Sequence, residues 1–250
     1  MDLKLKGKKV LATGASMGIG RAIARQLACE GADLAIVARR RELLETLAEE
    51  IVKSGGTRPA IIVADVMEPD APIRIRDAAL KALGKIEILI NCAGGSRPLP
   101  VEAGDDQWDE AITLNFTRLR QLTHAVLPGM REQRWGRIIN ITGKSEPDRL
   151  NAAFAAKAAV HAWAKGLSKE IGKQGVTVNS VAPGRIMSEQ IRRLYPEAER
   201  QALSDTEISV GRYGEPEDLA TLVAYLVSPL AEYITGVVIP VDGGLRRYQF

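Results

Sequence analysis

The sequence predicts an α/β fold, a single doubly wound parallel sheet of about seven strands with helices on both faces. Three observations carry this. Short apolar runs alternate with amphipathic helical patterns along the chain. The runs are apolar on both faces, as strands of a buried parallel sheet must be. A glycine-rich turn stands between the first run and the first helical pattern.

The elements follow in order. Residues 8–13 read as a strand and 18–30 as a helix. Residues 33–38 form the second strand, followed by a charged helix through about 53. A strand at 60–64 precedes a helix around 73–83, and 86–91 is the fourth strand. One long helix is expected over 108–131. Residues 137–142 are the fifth strand, and a second long helix covers 152–172. The sixth strand is 176–181. Helical pieces at 189–203 and 217–227 precede a last strand at 237–241. No fixed-period repeat, low-complexity tract or Pro/Gly/Ser-rich linker interrupts this order, so residues 1–250 read as one domain. The segment 184–214 is the least regular and most polar, which makes it a candidate substrate lid.

Composition narrows the function classes. Hydrophobic residues make up 46% and charged residues 26%, enough for a sizeable core and against global disorder. The net charge is +3 and the basic residues are scattered, so nothing resembles a nucleic-acid stripe. The longest uncharged stretch, 219–231, is 13 residues, and a membrane span needs about 20. Residues 1–6 carry no apolar signal-peptide core, so a cytoplasmic location is expected. Cys29 and Cys92 have no metal-ligand spacing and read as small buried side chains. No His/Cys/Asp/Glu cluster has metal spacing, so no metal is expected.

The turn Thr13-Gly14-Ala15-Ser16-Met17-Gly18-Ile19-Gly20 has strand before it and helix after it. Its glycines permit a tight turn and close backbone approach to a phosphate. The helix N-terminus adds free N–H donors and the positive end of a dipole. These features predict a Rossmann-type dinucleotide site. The end of the second strand then sets the ribose chemistry. A site preferring NAD places Asp or Glu there to hold the 2′-hydroxyl. This chain has Ala38, followed by Arg39, Arg40 and Arg41. Arg39 and Arg40 suit a 2′-phosphate through charge-assisted hydrogen bonds, which favours NADP(H) over NAD(H).

These motifs, with Asn91-Cys92-Ala93-Gly94, Asn115, Lys157, Pro183-Gly184 and the ending Val241-Asp242-Gly243-Gly244, resemble the short-chain dehydrogenase/reductase family. The likeness spans essentially the whole chain and is strongest to the branch that contains β-ketoacyl-acyl carrier protein reductases and many alcohol dehydrogenases. The resemblance implies that Asp65 and Val66 hold the adenine, and that Asn91, Ala93 and Gly94 border the adenosine ribose. It implies that Pro183, Gly184 and Ile186 line the nicotinamide, with the Ser188 hydroxyl and Thr142 beside the cofactor. It implies homodimers formed by the two long helices, and tetramers completed by the last-strand region.

The family's chemistry uses Asn, Ser, Tyr and Lys, and the Tyr is the general acid/base. Here Asn115 and Lys157 are present, but four residues before Lys157 stands Ala153. Phe154 has the ring without the hydroxyl and points about 100° away on a helix. The Ser position falls on Gly143, and no tyrosine occurs before Tyr195. A missing acid/base typically costs ~10²–10⁴ in rate. Lys157 itself, or Lys144, Ser145 or Glu146 in the adjoining loop, are candidate replacements. His124 and His161 read as structural histidines, with a distant proton relay through His161 as the alternative. Tyr248 in the basic tail is a further candidate to reach a neighbouring subunit. Three readings stay open: an NADP(H)-dependent carbonyl or alcohol oxidoreductase, a cofactor-binding protein without turnover, and another reaction on the same scaffold.

Overall fold

Alternation along each strand divides the core into two halves, because successive side chains point to opposite faces of a sheet. On β1 (Lys9–Thr13), Val10 and Ala12 pack to one side and Leu11 to the other. On β5 (Gly136–Ile141), Ile139 and Ile138 divide in the same way. The structure is a computed structural model and describes residues 1–143, 147, 149–188, 191–192 and 195–246. The other strands are β2 (Asp33–Ala38), β3 (Ala60–Val63), β4 (Ile88–Asn91), β6 (Val176–Pro183) and β7 (Val238–Val241). All pairings are parallel, and the strand order is β3-β2-β1-β4-β5-β6-β7.

One face is covered by α1 (Gly18–Cys29), α2 (Arg41–Lys53) and the helix Pro216–Leu226. The opposite face is covered by α3 (Ala71–Leu83), α5 (Arg118–Glu132) and α6 (Ala152–Ile171). Two further helices are α4 (Asp105–Ile112) and α7 (Glu197–Glu207), so the helix Pro216–Leu226 is α8. The chain winds outward from β1 to β3, then crosses back to lay β4 on the other side of β1. The crevice at the carboxyl ends of β1 and β4 is therefore the switch point, where doubly wound sheets bind ligands. Among the described residues no helix is long and apolar enough to cross a membrane.

Three expectations need correction. The single long helix over 108–131 is two helices, α4 and α5, joined by a π-helical turn at Thr113–Thr117. Its cause is local: the Asn115 amide donates to Ala111 O at 3.0 Å, in competition with the backbone for that carbonyl. Of the helix expected at 189–203, residues 189–190 and 193–194 lie outside the described residues, 191–192 are helical, 195–196 are not, and the helix Glu197–Glu207 runs four residues further than expected. Cys29 is exposed at the end of α1 rather than buried.

Candidate functional site

The glycine turn is pressed against the end of β4. A Cβ on Gly14 would lie 2.8 Å from Ala93 N, and one on Gly20 would lie 2.3 Å from Gly14 O. No side chain fits at either place. Thr13 fastens the two strand ends together. Its hydroxyl donates to Ile90 O at 3.2 Å and accepts from the amides of Cys92 at 3.1 Å and Ala93 at 3.3 Å. Ala15 N donates to Val37 O, which ties the turn to β2 as well. Beyond it α1 begins at Gly18, with extended backbone at Met17, no side-chain cap and no acidic residue in its first turn. Its amides and its positive dipole end are left for an anionic group. Ser16 and Ile19 complete this turn.

At the end of β2 the Arg39 side chain is 76% exposed, and its nearest carboxylate oxygen is Asp65 Oδ2 at 3.7 Å. Arg40 Nη2 stands 3.3 Å from Met17 Sδ. Arg40 thus borders the glycine turn, and Arg39 the loop that carries Asp65. Asp65 Oδ1 accepts from Met67 N at 3.0 Å, and Arg118 donates to Met67 O at 2.8 Å. The loop carrying Asp65 and Val66 is shaped by these bonds. Behind it a small cavity is lined by Thr13, Val66, Asn91, Ala93 and Leu114.

The other half of the crevice lies where β5 ends and α6 begins. Helix α6 presents Ala153, Lys157 and His161 at four-residue spacing, hence on one face. The Lys157 ammonium donates to Thr142 O at 2.8 Å. Burial pushes its pKa below the usual lysine value, with Cys92 acting the other way. Burial also pushes the Cys92 thiol up to about 12, against the opposing effect of Lys157. Ala153 is buried. A Cβ on Gly143 would meet Lys157 Cδ at 3.3 Å and the Phe154 ring at 3.7 Å. Phe154 therefore closes on Gly143, although it stands off the Ala153–Lys157 line. Asn115 Oδ1 accepts from Gly95 N at 3.0 Å, and a Cβ on Gly94 would lie 2.9 Å from the same oxygen. Asn151 caps α6 by accepting from Ala153 N. At the far wall, Gly184 N donates to Val241 O, and Ile186 bridges to Gly214.

Several expected site residues use their side chains otherwise. The Asn91 amide nitrogen donates to Thr123 Oγ1 and Asn140 Oδ1, both at 3.0 Å, so it is turned inward rather than toward a ribose. The Thr142 hydroxyl donates to Val181 O and meets His161 Nε2 at 2.8 Å. Ser188 Oγ accepts from Ile191 N at 3.1 Å. His124 and Trp163 bring α5 and α6 into contact, with ring centroids 6.0 Å apart. Lys144, Ser145, Glu146 and Tyr248 lie outside the described residues. Sequence reasoning placed Thr13 in the glycine turn without its fastening role, and missed Arg118 and Asn151. Asn151, directly before the expected helix, carried the local signal of an N-cap, and Arg118 carried none. Among the described residues no cluster of three His/Cys/Asp/Glu side chains could hold a metal.

A family model described as enoyl-(acyl carrier protein) reductase matches residues 14–246. The 3-oxoacyl-[acyl-carrier-protein] reductase FabG of Pseudomonas aeruginosa is 39% identical over 248 residues, covering 97% of this chain and 99% of that protein. L-sorbose reductase from Gluconobacter frateurii, solved with NADPH and L-sorbose, superposes with a TM-score of 0.93 at 28% identity, covering 99% and 100% of the two chains. A 7α-hydroxysteroid dehydrogenase solved with NADH and 7-oxo glycochenodeoxycholic acid superposes with a TM-score of 0.92 at 28% identity, covering 97% and 96%.

Proposed function

The chain belongs to the short-chain dehydrogenase/reductase family, and we propose that it is an NADP(H)-dependent oxidoreductase of small carbonyl or alcohol substrates, similar to the 3-oxoacyl reductases. One observation carries this reading. The glycine turn and Lys157 converge on one point, Cys92: a Cβ on Gly20 would lie 3.2 Å from Cys92 Sγ, and Lys157 and Cys92 perturb each other's pKa. A phosphate cradle and a buried ammonium thus share one crevice. When bound, the nicotinamide supplies or accepts the hydride.

The residues divide the remaining work. Gly14, Ser16, Met17, Gly18, Ile19 and Gly20 hold the pyrophosphate with backbone amides. Arg39 and Arg40 hold the 2′-phosphate, Asp65 and Val66 the adenine, and the backbone of Asn91, Ala93 and Gly94 the ribose. Pro183, Gly184, Ile186 and Ser188 wall the nicotinamide side, and Thr142, buried behind Lys157, backs it. Asn115 and Lys157 are what remains of the catalytic set, whose Tyr and Ser positions hold Ala153 and Gly143. With its pKa lowered by burial, Lys157 is a stronger acid than a free lysine, and it holds a proton at Nζ beside the reacting centre. The single domain 1–250 closes over substrate with segment 184–214. Supporting this, the two ends of the segment are tied by Met187 N to Gly214 O and Gly214 N to Arg185 O. The assembly is a homodimer or homotetramer built on α5 and α6.

A second reading, cofactor binding without turnover, is favoured by Ala153, whose buried methyl has no proton to give. Titrating the protein with NADPH and NADH tests both readings. Tighter NADPH binding is expected, and Arg39→Ala should weaken NADPH by about tenfold or more while sparing NADH. Equal weakening would overturn the 2′-phosphate assignment. No binding of either would remove the oxidoreductase reading. Turnover of a 3-oxoacyl thioester or a ketose separates the enzyme from the binder.

A further inference from the structure

His161 stands four residues beyond Lys157 on α6, and the two side chains converge on a single residue of the facing strand end. Thr142 takes the Lys157 ammonium on its carbonyl at 2.8 Å and the His161 Nε2 on its hydroxyl at 2.8 Å. The hydroxyl has one proton, and Val181 O accepts it at 3.2 Å. With that proton on Val181 O the hydroxyl accepts from an Nε2–H tautomer, and with it turned to Nε2 the hydroxyl donates; either way the bond ties His161 to Thr142. Thr142 is 1% exposed, so no water competes for these bonds. We propose that His161 is a positioning residue for Lys157, acting through Thr142, in the cofactor site described above.

The argument separates hydrogen bonding from charge. Three things hold the imidazole below its ordinary pKa: burial first, then the cations Arg246 and Lys157. Cys92, whose thiol is pushed up to about 12, is neutral beside Lys157 at physiological pH. Held below its ordinary value, the imidazole is neutral at physiological pH. Removing it takes away a hydrogen bond to Thr142 and no charge. Any change in Lys157 then reports the loss of position. A merely space-filling histidine would leave the Lys157 titration where it is.

The test rests on the proposed cofactor site but reads out without the cofactor. Lysine labelled with 13C at Cε gives the Lys157 titration by NMR in the free protein. His161→Phe should lower the Lys157 proton affinity by about three- to tenfold, the range of one hydrogen bond. Thr142→Val, which keeps the carbonyl and loses the hydroxyl, should do the same. The double variant should be no worse than either single one. His161→Gln, whose amide can reach the same hydroxyl, should restore the wild-type titration. Thermal melts establish that each variant is folded, and Thr142→Ser stands in if Thr142→Val is not, with the wild-type titration expected. An unchanged Lys157 titration in His161→Phe, or additive effects in the double variant, overturns the proposal. NADPH titration of the same variants is a separate arm. Failure of wild type to bind NADPH would remove the oxidoreductase reading and leave the Lys157 result standing.

Discussion

Replacing Asn151 by alanine cuts three bonds at once. Asn151 is 6% exposed at the N-cap of α6, the helix that carries Lys157. Its Oδ1 accepts from Ala153 N and from Arg97 N, both at 3.0 Å, and its Nδ2 donates to Ser96 Oγ at 2.8 Å. Loss of an asparagine N-cap costs about 1 kcal/mol. Stranding the part-buried Arg97 amide adds roughly 1–2 kcal/mol. The exposed Ser96 hydroxyl turns to water at little cost. The sum is about 2–3 kcal/mol, a drop in melting temperature of roughly 4–12 °C for a chain of this size. Urea unfolding followed by circular dichroism measures it as a lower midpoint at unchanged slope. Asn151→Asp is the control, because a carboxylate still accepts from both amides and suits a helix N-terminus. It should stay within about 0.5 kcal/mol of wild type. The reasoning fails if Asn151→Ala is equally stable, or if Asn151→Asp falls as far.

Other outcomes follow from the same geometry. Gly20→Ala places a Cβ 2.3 Å from Gly14 O, so NADPH affinity should fall by about tenfold or more as the turn is forced open; unaltered affinity would show that the cofactor lies elsewhere. Glu87 is drawn toward neutrality by burial. Bonds from Lys8, Lys9 N and Lys85 outweigh this and hold its pKa below the usual glutamate value. Because the folded value is the lower one, Glu87 contributes stability above the ordinary carboxylate pKa and loses it as pH falls through the folded value. Acid unfolding of Glu87→Gln against wild type should show a gap at pH 7 that closes toward pH 3, and a pH-independent gap refutes it. Ala153→Tyr restores a phenol four residues before Lys157, and carbonyl-reduction turnover should rise by up to ~10²-fold. The buried site makes it less stable by about 1–3 kcal/mol. No gain with NADPH still bound favours the reading without turnover.

Much of this was legible along the chain. The alternation of apolar runs with amphipathic patterns set the α/β class, because backbone hydrogen bonding and Cβ direction are local and leave a period in the sequence. The glycine turn was legible because only glycine survives where a Cβ would meet backbone at 2.3–2.8 Å. The four-residue step from Ala153 to Lys157 put both residues on one face of α6 for the same local reason. Strand order was a different matter. Placing β4 beside β1 creates the switch-point crevice, and lateral neighbours depend on packing between segments far apart in the chain. Side-chain partners across that crevice were hidden likewise. Asn91 turned inward to Thr123 and Asn140, Thr142 spent its hydroxyl on Val181 and His161, and Asn115 broke one expected helix into two. A buried polar group must find a partner, and which partner stands within 3 Å is fixed by the assembled fold rather than by the residue or its neighbours in sequence.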